Sequence, residues 1–78
     1  MNSDYKENIA KEFGRFIREA RERKNMIQAE VAQKVGISRG YYALIETGGR
    51  EIYFSTAMKL CEALDVDFND FAKRILQK

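Results

Sequence analysis

Residues 38–47, "SRGYYALIET", gather an arginine, two tyrosines and several small or apolar side chains into ten positions. If the segment is helical, Tyr42 and Ile45 share one side, and Arg39, Gly40, Tyr41, Ala43, Leu44 and Thr47 cannot all join them inside. The outward side then offers a guanidinium that can take guanine bidentately, and methyl-bearing alanine, leucine or threonine that can meet a thymine methyl. Such a surface fits the major groove of double-stranded DNA. Catalysis has far less to work with. The chain contains no histidine and a single cysteine, Cys61. A zinc site and the usual acid–base residue at neutral pH are therefore not expected, and no nucleophile–base pair is present. Cys61 lies within an apolar-periodic run and reads as a small buried hydrophobe suited to a reducing compartment. No enzyme activity, cofactor or metal is expected.

The elements that must position this surface read as five helices without a strand pattern. Asp4 and Glu7 have capping-box spacing, after which Tyr5, Ile9, Phe13, Phe16, Ile17 and Ala20 keep helical spacing over about residues 4–24. Gly14 interrupts that helix at some cost in propensity, which implies close packing or a frayed first turn. A short second helix, 28–35, turns Val31, Ala32 and Val35 inward and ends at Gly36. Ser38 caps a third helix, 39–47. After the loop 48–52, a fourth helix between residues 53 and 64 buries Phe54, Ala57, Met58, Leu60 and Leu64. A fifth begins from Asp67, with Asp70 in capping-box position and Phe68, Phe71, Ala72 and Ile75 on one stripe.

The Gly36-Ile37-Ser38 break sets the angle between helices two and three. Val31, Ala32, Val35, Ile37, Tyr42 and Ile45 can be buried together only if the two short helices cross steeply, which is the helix-turn-helix arrangement. Seventy-eight residues suffice for one small domain. The net charge of +2 is weak, but it is unevenly spread. Residues 11–24 hold Lys11, Arg15, Arg18, Arg21, Arg23 and Lys24 against Glu12, Glu19 and Glu22, while residues 51–78 hold four bases against five acids. Taken alone, the basic run is a solvated helix face with pairs such as Glu19 to Arg23. The opening "MNSDYKENIAKEF" lacks a signal-peptide pattern, and no apolar stretch is long enough to span a bilayer, so a cytoplasmic protein without a membrane partner is expected.

The segment "FGRFIREARERKNMIQAEVAQKVGISRGYYALIETGGR" resembles the Cro/phage-repressor (XRE-type) helix-turn-helix family. That family's pattern is an Arg-rich first helix, then Gln-x-x-x-Ala-x-x-x-Gly-Ile-Ser, then an Ile-Glu-x-Gly ending. The likeness continues through "STAMKLCEALDVDFNDF" and covers about residues 13–72. It implies an all-α, five-helix, lambda-repressor-like DNA-binding domain, with residues 1–12 extending helix one or forming an arm. It also implies that Gln28 contacts backbone phosphate, that Arg39, Gly40 and Leu44 face base edges, and that Tyr41, Gly49 and Arg50 lie near phosphates. With Ser38, Ala43 and Thr47 these make up the expected DNA-binding set. The family's buried ion pair falls on Arg21 and Glu46, which would withdraw Arg21 from DNA. Arg39 with Tyr41 is similar to the controller proteins of restriction–modification systems, a subset of the family.

Departures from the pattern have consequences. Ile27 stands where the family caps the second helix with Ser or Thr, so the first amides of that helix must look to water or phosphate. Ile52 and Tyr53 replace the common Pro-Ser before the fourth helix, which alters the loop. The alternative to phosphate contact for Arg50 is capping the carbonyls of the third helix. Phe68, Ile75 and Leu76 exceed what one small core needs from a single helix and could form the seam of a homodimer; plain core is the alternative. The function expected is sequence-specific regulation of transcription on a double-stranded operator, with polymerase or a regulatory protein as a further candidate partner. A protein-interaction module on the same fold, antitoxin- or anti-repressor-like, is the competing reading.

Overall fold

The computed structural model describes the backbone of residues 3–77 and the side chains of residues 8–77. Its helices are α1 (Ser3–Arg23), α2 (Gln28–Val35), α3 (Arg39–Thr47), α4 (Phe54–Leu64) and α5 (Phe68–Leu76), and the described residues include no strand. The Asp4 and Glu7 cap and Tyr5 lie outside the described side chains.

Local chemistry accounts for most boundaries. Asn25, at φ 56°, terminates α1 in a left-handed turn that asparagine tolerates better than most residues. Gly36, at φ 84°, ends α2 and donates its N–H to the Ala32 carbonyl at 2.9 Å, leaving the chain to turn sharply into Ser38. The Ser38 hydroxyl oxygen accepts the Tyr41 N–H at 3.1 Å and so caps α3. Asp67 caps α5 by accepting the Asn69 N–H at 2.9 Å.

The core is built on α1. Phe13, Phe16, Ile17 and Ala20 are buried against Val31 and Ala32 of α2, Tyr42 and Ile45 of α3, Ala57, Leu60, Cys61 and Leu64 of α4, and Phe71 of α5. Gly14 resolves as close packing: a Cβ there would sit 2.8 Å from the Glu46 carbonyl carbon and closer still to the Ile45 and Glu46 carbonyl oxygens. The backbones of α1 and α3 therefore touch where any other residue would push them apart. At the far end, Phe13 meets Phe71 edge-on with ring centroids 5.1 Å apart, and Phe68 joins the same cluster.

Two expected core residues are not core. Phe54 is 68% exposed and Met58 is 41% exposed. Met58 stands about 100° around α4 from Ala57, on the shoulder of the buried stripe made by Ala57, Leu60, Cys61 and Leu64. Phe54 opens α4 beyond the edge of the core, with its ring edge-on to Phe68 at 5.6 Å. Phe68 and Ile75 are half-buried against the core, whereas Leu76 is 82% exposed.

Candidate nucleic-acid interface

The α2–turn–α3 unit presents one side of α3 outward because the other side is fully committed. Tyr42, Ile45 and Glu46 are buried, so Arg39, Gly40, Leu44 and Thr47 emerge on the opposite surface and are exposed. Ser38 and Arg50 flank them and are exposed too, while Tyr41, Ala43 and Gln28 are half-buried. Thr47 donates its hydroxyl proton to the Leu44 carbonyl at 3.1 Å, so its outward chemistry is a methyl and an acceptor. Ser38, whose oxygen serves the cap, keeps a hydroxyl proton to give. The Arg50 guanidinium lies over the Tyr41 ring, 5.7 Å from its centroid, and the α3 carbonyls of Ile45 and Leu44 are taken by the N–H groups of Gly48 and Gly49. The stacking holds Arg50 beside α3 at the rim of a cleft lined by Ser38, Tyr41, Glu51, Tyr53 and Thr56.

Behind this surface lies a buried polar cluster. Arg21 Nε donates to Glu46 Oε2 at 2.6 Å and Nη2 to Oε1 at 3.0 Å, a two-point pairing with the Glu46 side chain only 2% exposed. Arg21 Nη1 donates to the Met26 carbonyl at 2.9 Å, in the turn between α1 and α2. The Tyr42 hydroxyl donates to Glu46 Oε2, and Gln28 Nε2 donates to Oε1 at 2.9 Å. Burial opposes the Glu46 charge, but the hydrogen bonds from Arg21, Tyr42 and Gln28 outweigh it and hold the carboxyl below its usual range. Burial and then the bond to Glu46 push the Tyr42 phenol upward, and the bond to Glu46 raises Arg21 against its own desolvation. Both groups keep their protons at any physiological pH.

Sequence reasoning brought Arg21 and Glu46 to one place but treated Tyr42 as an inward apolar ring and Gln28 as a residue facing only outward. A signal was present: Tyr42 and Glu46 are four apart on one helix, the spacing at which side chains meet. At the start of α2, Ile27 provides no side-chain acceptor, and its own N–H donates to Glu30 Oε1 at 2.9 Å. The amides of Gln28 and Ala29 open the helix without intrahelical partners and carry its positive end. Among the described residues no group of His, Cys, Asp or Glu side chains is placed to hold a metal ion, and no helix is long and apolar enough to cross a membrane.

Two short helices joined by a Gly-Ile-Ser turn, with an exposed, arginine-bearing outer face on the second, are the architecture of a helix-turn-helix protein. The helix-turn-helix family profile matches residues 17–71, and the chain belongs to this Cro/C1-type (XRE) family. Among solved structures it is similar to the restriction-modification controller protein C.AhdI from Aeromonas hydrophila, at 30% identity over 82% of this chain and 96% of that one, with a TM-score of 0.75. It shares the fold of the clp gene regulator ClgR from C. glutamicum at 23% identity, covering 88% of this chain and 90% of that one with a TM-score of 0.80. It shares it also with the restriction-modification controller protein C.Esp1396I, at 22% identity over 88% of this chain and 90% of that one, with a TM-score of 0.76. No curated protein matches the chain in sequence at a significant level. Membership of this family, with the 30% identity to the controller protein C.AhdI, makes the chain a DNA-binding transcriptional regulator.

Proposed function

We propose that the chain is a sequence-specific regulator of transcription that inserts α3 into the major groove of a double-stranded operator. The observation carrying this reading is the division of α3 into a fully buried side, Tyr42, Ile45 and Glu46, and an exposed side bearing Arg39, Gly40 and Leu44. Arg39, one residue after the Ser38 cap, reads a base edge, most simply guanine O6 and N7. Leu44 offers an apolar contact to a thymine methyl, with Ala43 and Thr47 beside it, and Gly40 lets the backbone approach closely. Arg50, steadied over Tyr41, meets phosphate, as do Gln28 and the opening amides of α2.

The same reading includes a homodimer through α5. Leu76 is almost fully exposed, Phe68 and Ile75 each keep part of their surface outside the core, and Phe54 extends the apolar patch from Phe68 onto α4. A two-fold pair would present two copies of α3 roughly 34 Å apart, one turn of DNA. The exposed Tyr53, Phe54 and Met58 also favour a second reading, in which this fold docks on another protein, a regulatory partner or polymerase.

Selection of half-sites from random duplex DNA tests both. A two-fold symmetric motif is the expected outcome. Retention of no sequence above background, with a protein partner engaging the Tyr53 and Phe54 patch, would favour the second reading.

A further inference from the structure

Tyr42 is the sole fully buried hydroxyl-bearing residue among the described ones, and packing alone does not call for its oxygen. Phenylalanine would fill the same volume in the buried cluster. The Glu46 charge is already matched by Arg21. The hydroxyl does something neither packing nor neutralisation requires: it occupies one of the roughly four acceptor positions of the carboxylate. The other three take Arg21 Nε, Arg21 Nη2 and Gln28 Nε2.

These four donors differ in what they are fixed to. Arg21 reaches across from the last turn of α1 and is itself held by the Met26 carbonyl, so it ties the carboxylate to the α1–α2 turn and not to α3. The Tyr42 ring is locked in the core and sits on α3 itself, one turn before Glu46. The hydroxyl therefore sets the carboxylate relative to the helix that faces the groove. Glu46 Oε1 in turn sets the amide of Gln28, the first residue of α2. An amide nitrogen carries two hydrogens, and with one on Glu46 the second points elsewhere in a fixed plane.

We infer that Tyr42 is a positioning residue for DNA binding: its hydroxyl, through Glu46, orients the Gln28 amide so that the second N–H meets a phosphate oxygen beside the opening amides of α2. The chain Tyr42–Glu46–Gln28 couples the register of α3 in the groove to the grip of α2 on the backbone. This rests on the DNA-binding reading above.

Affinity for a selected duplex is measured for the wild type, Tyr42→Phe, Gln28→Ala and the double variant, with thermal midpoints confirming that each is folded. Tyr42→Phe should weaken binding about three- to tenfold, the scale of one lost buried hydrogen bond. In the Gln28→Ala background the same change should cost less than about twofold, because the group it acts through is gone. Equal losses in both backgrounds would overturn the inference, since a merely structural hydroxyl ignores Gln28. In the absence of DNA, the side-chain amide protons of Gln28 give an independent reading by nuclear magnetic resonance. One should be shifted downfield by the carboxylate in the wild type and move toward the ordinary position in Tyr42→Phe; an unmoved signal would also overturn the inference. Failure of the DNA reading looks different: no duplex is selected while the Gln28 amide still responds to Tyr42.

Discussion

Arg21 and Arg39 begin as the same residue type and end with opposite uses. Arg21 turns its Nε, Nη1 and Nη2 inward onto Glu46 and the Met26 carbonyl, while Arg39 stands exposed in the first turn of α3 and makes no side-chain hydrogen bond or ion pair among the described residues. The difference lies in location. Arg21, in the last turn of α1, reaches the buried Glu46 carboxylate with its side chain, whereas Arg39 follows the Ser38 cap in the exposed first turn of α3. A guanidinium already matched with a buried acid is structural, and one left solvated beside small residues is available for recognition.

The largest effect should come from breaking the inner pair from its acidic side. Glu46→Ala leaves Arg21, Tyr42 and Gln28 facing an empty site, and should cost about 3–5 kcal/mol of stability by chemical denaturation. A loss near that of a surface ion pair would show that Arg21 is no more committed than Arg39. Acid tests the same group without mutation. The Glu46 carboxyl lies below its unfolded value, so its stabilising contribution is complete above the unfolded carboxylate range and disappears as pH falls through the lowered folded value. Denaturation midpoints taken across the acid range should therefore fall less steeply in Glu46→Gln than in the wild type.

The outer arginine should respond in binding, with little change in stability. Arg39→Ala should cost about 1–3 kcal/mol on the preferred site and much less on scrambled duplex, whereas Arg50→Ala should weaken both and lower the salt slope by about one ion per subunit. Titrations on the two DNAs across a salt series separate them; equal losses on both for Arg39→Ala would remove its base-reading role. The smallest effect belongs to an arginine of intermediate kind. Arg74 pairs with Glu19 at 3.1 Å and lies over the Phe16 ring, but both charged side chains are more than a third exposed. Arg74→Ala should change stability by at most about 1 kcal/mol by thermal denaturation, and a larger loss would show that partial burial suffices to make a pair structural.

What the amino-acid order determined by itself is whatever acts within about one helical turn. The stop at Gly36, the cap at Ser38, the cap at Asp67 and the inward placement of Tyr42 and Ile45 each depend on residues no more than four apart, and all are legible in the sequence. The resemblance carried the reading further, to Arg21 and Glu46, which are 25 positions apart. Only the tertiary structure decided what depends on how helices cross: that Gln28 reaches Glu46, that Gly14 lies against the carbonyls of α3, and that Arg50 rests on Tyr41. It also decided that Phe54 and Met58 stay outside. Periodicity names a stripe on a helix, but how far the stripe is covered depends on where the neighbouring helices end, and α4 begins beyond the edge of the core with Phe68 as the aromatic neighbour of Phe54.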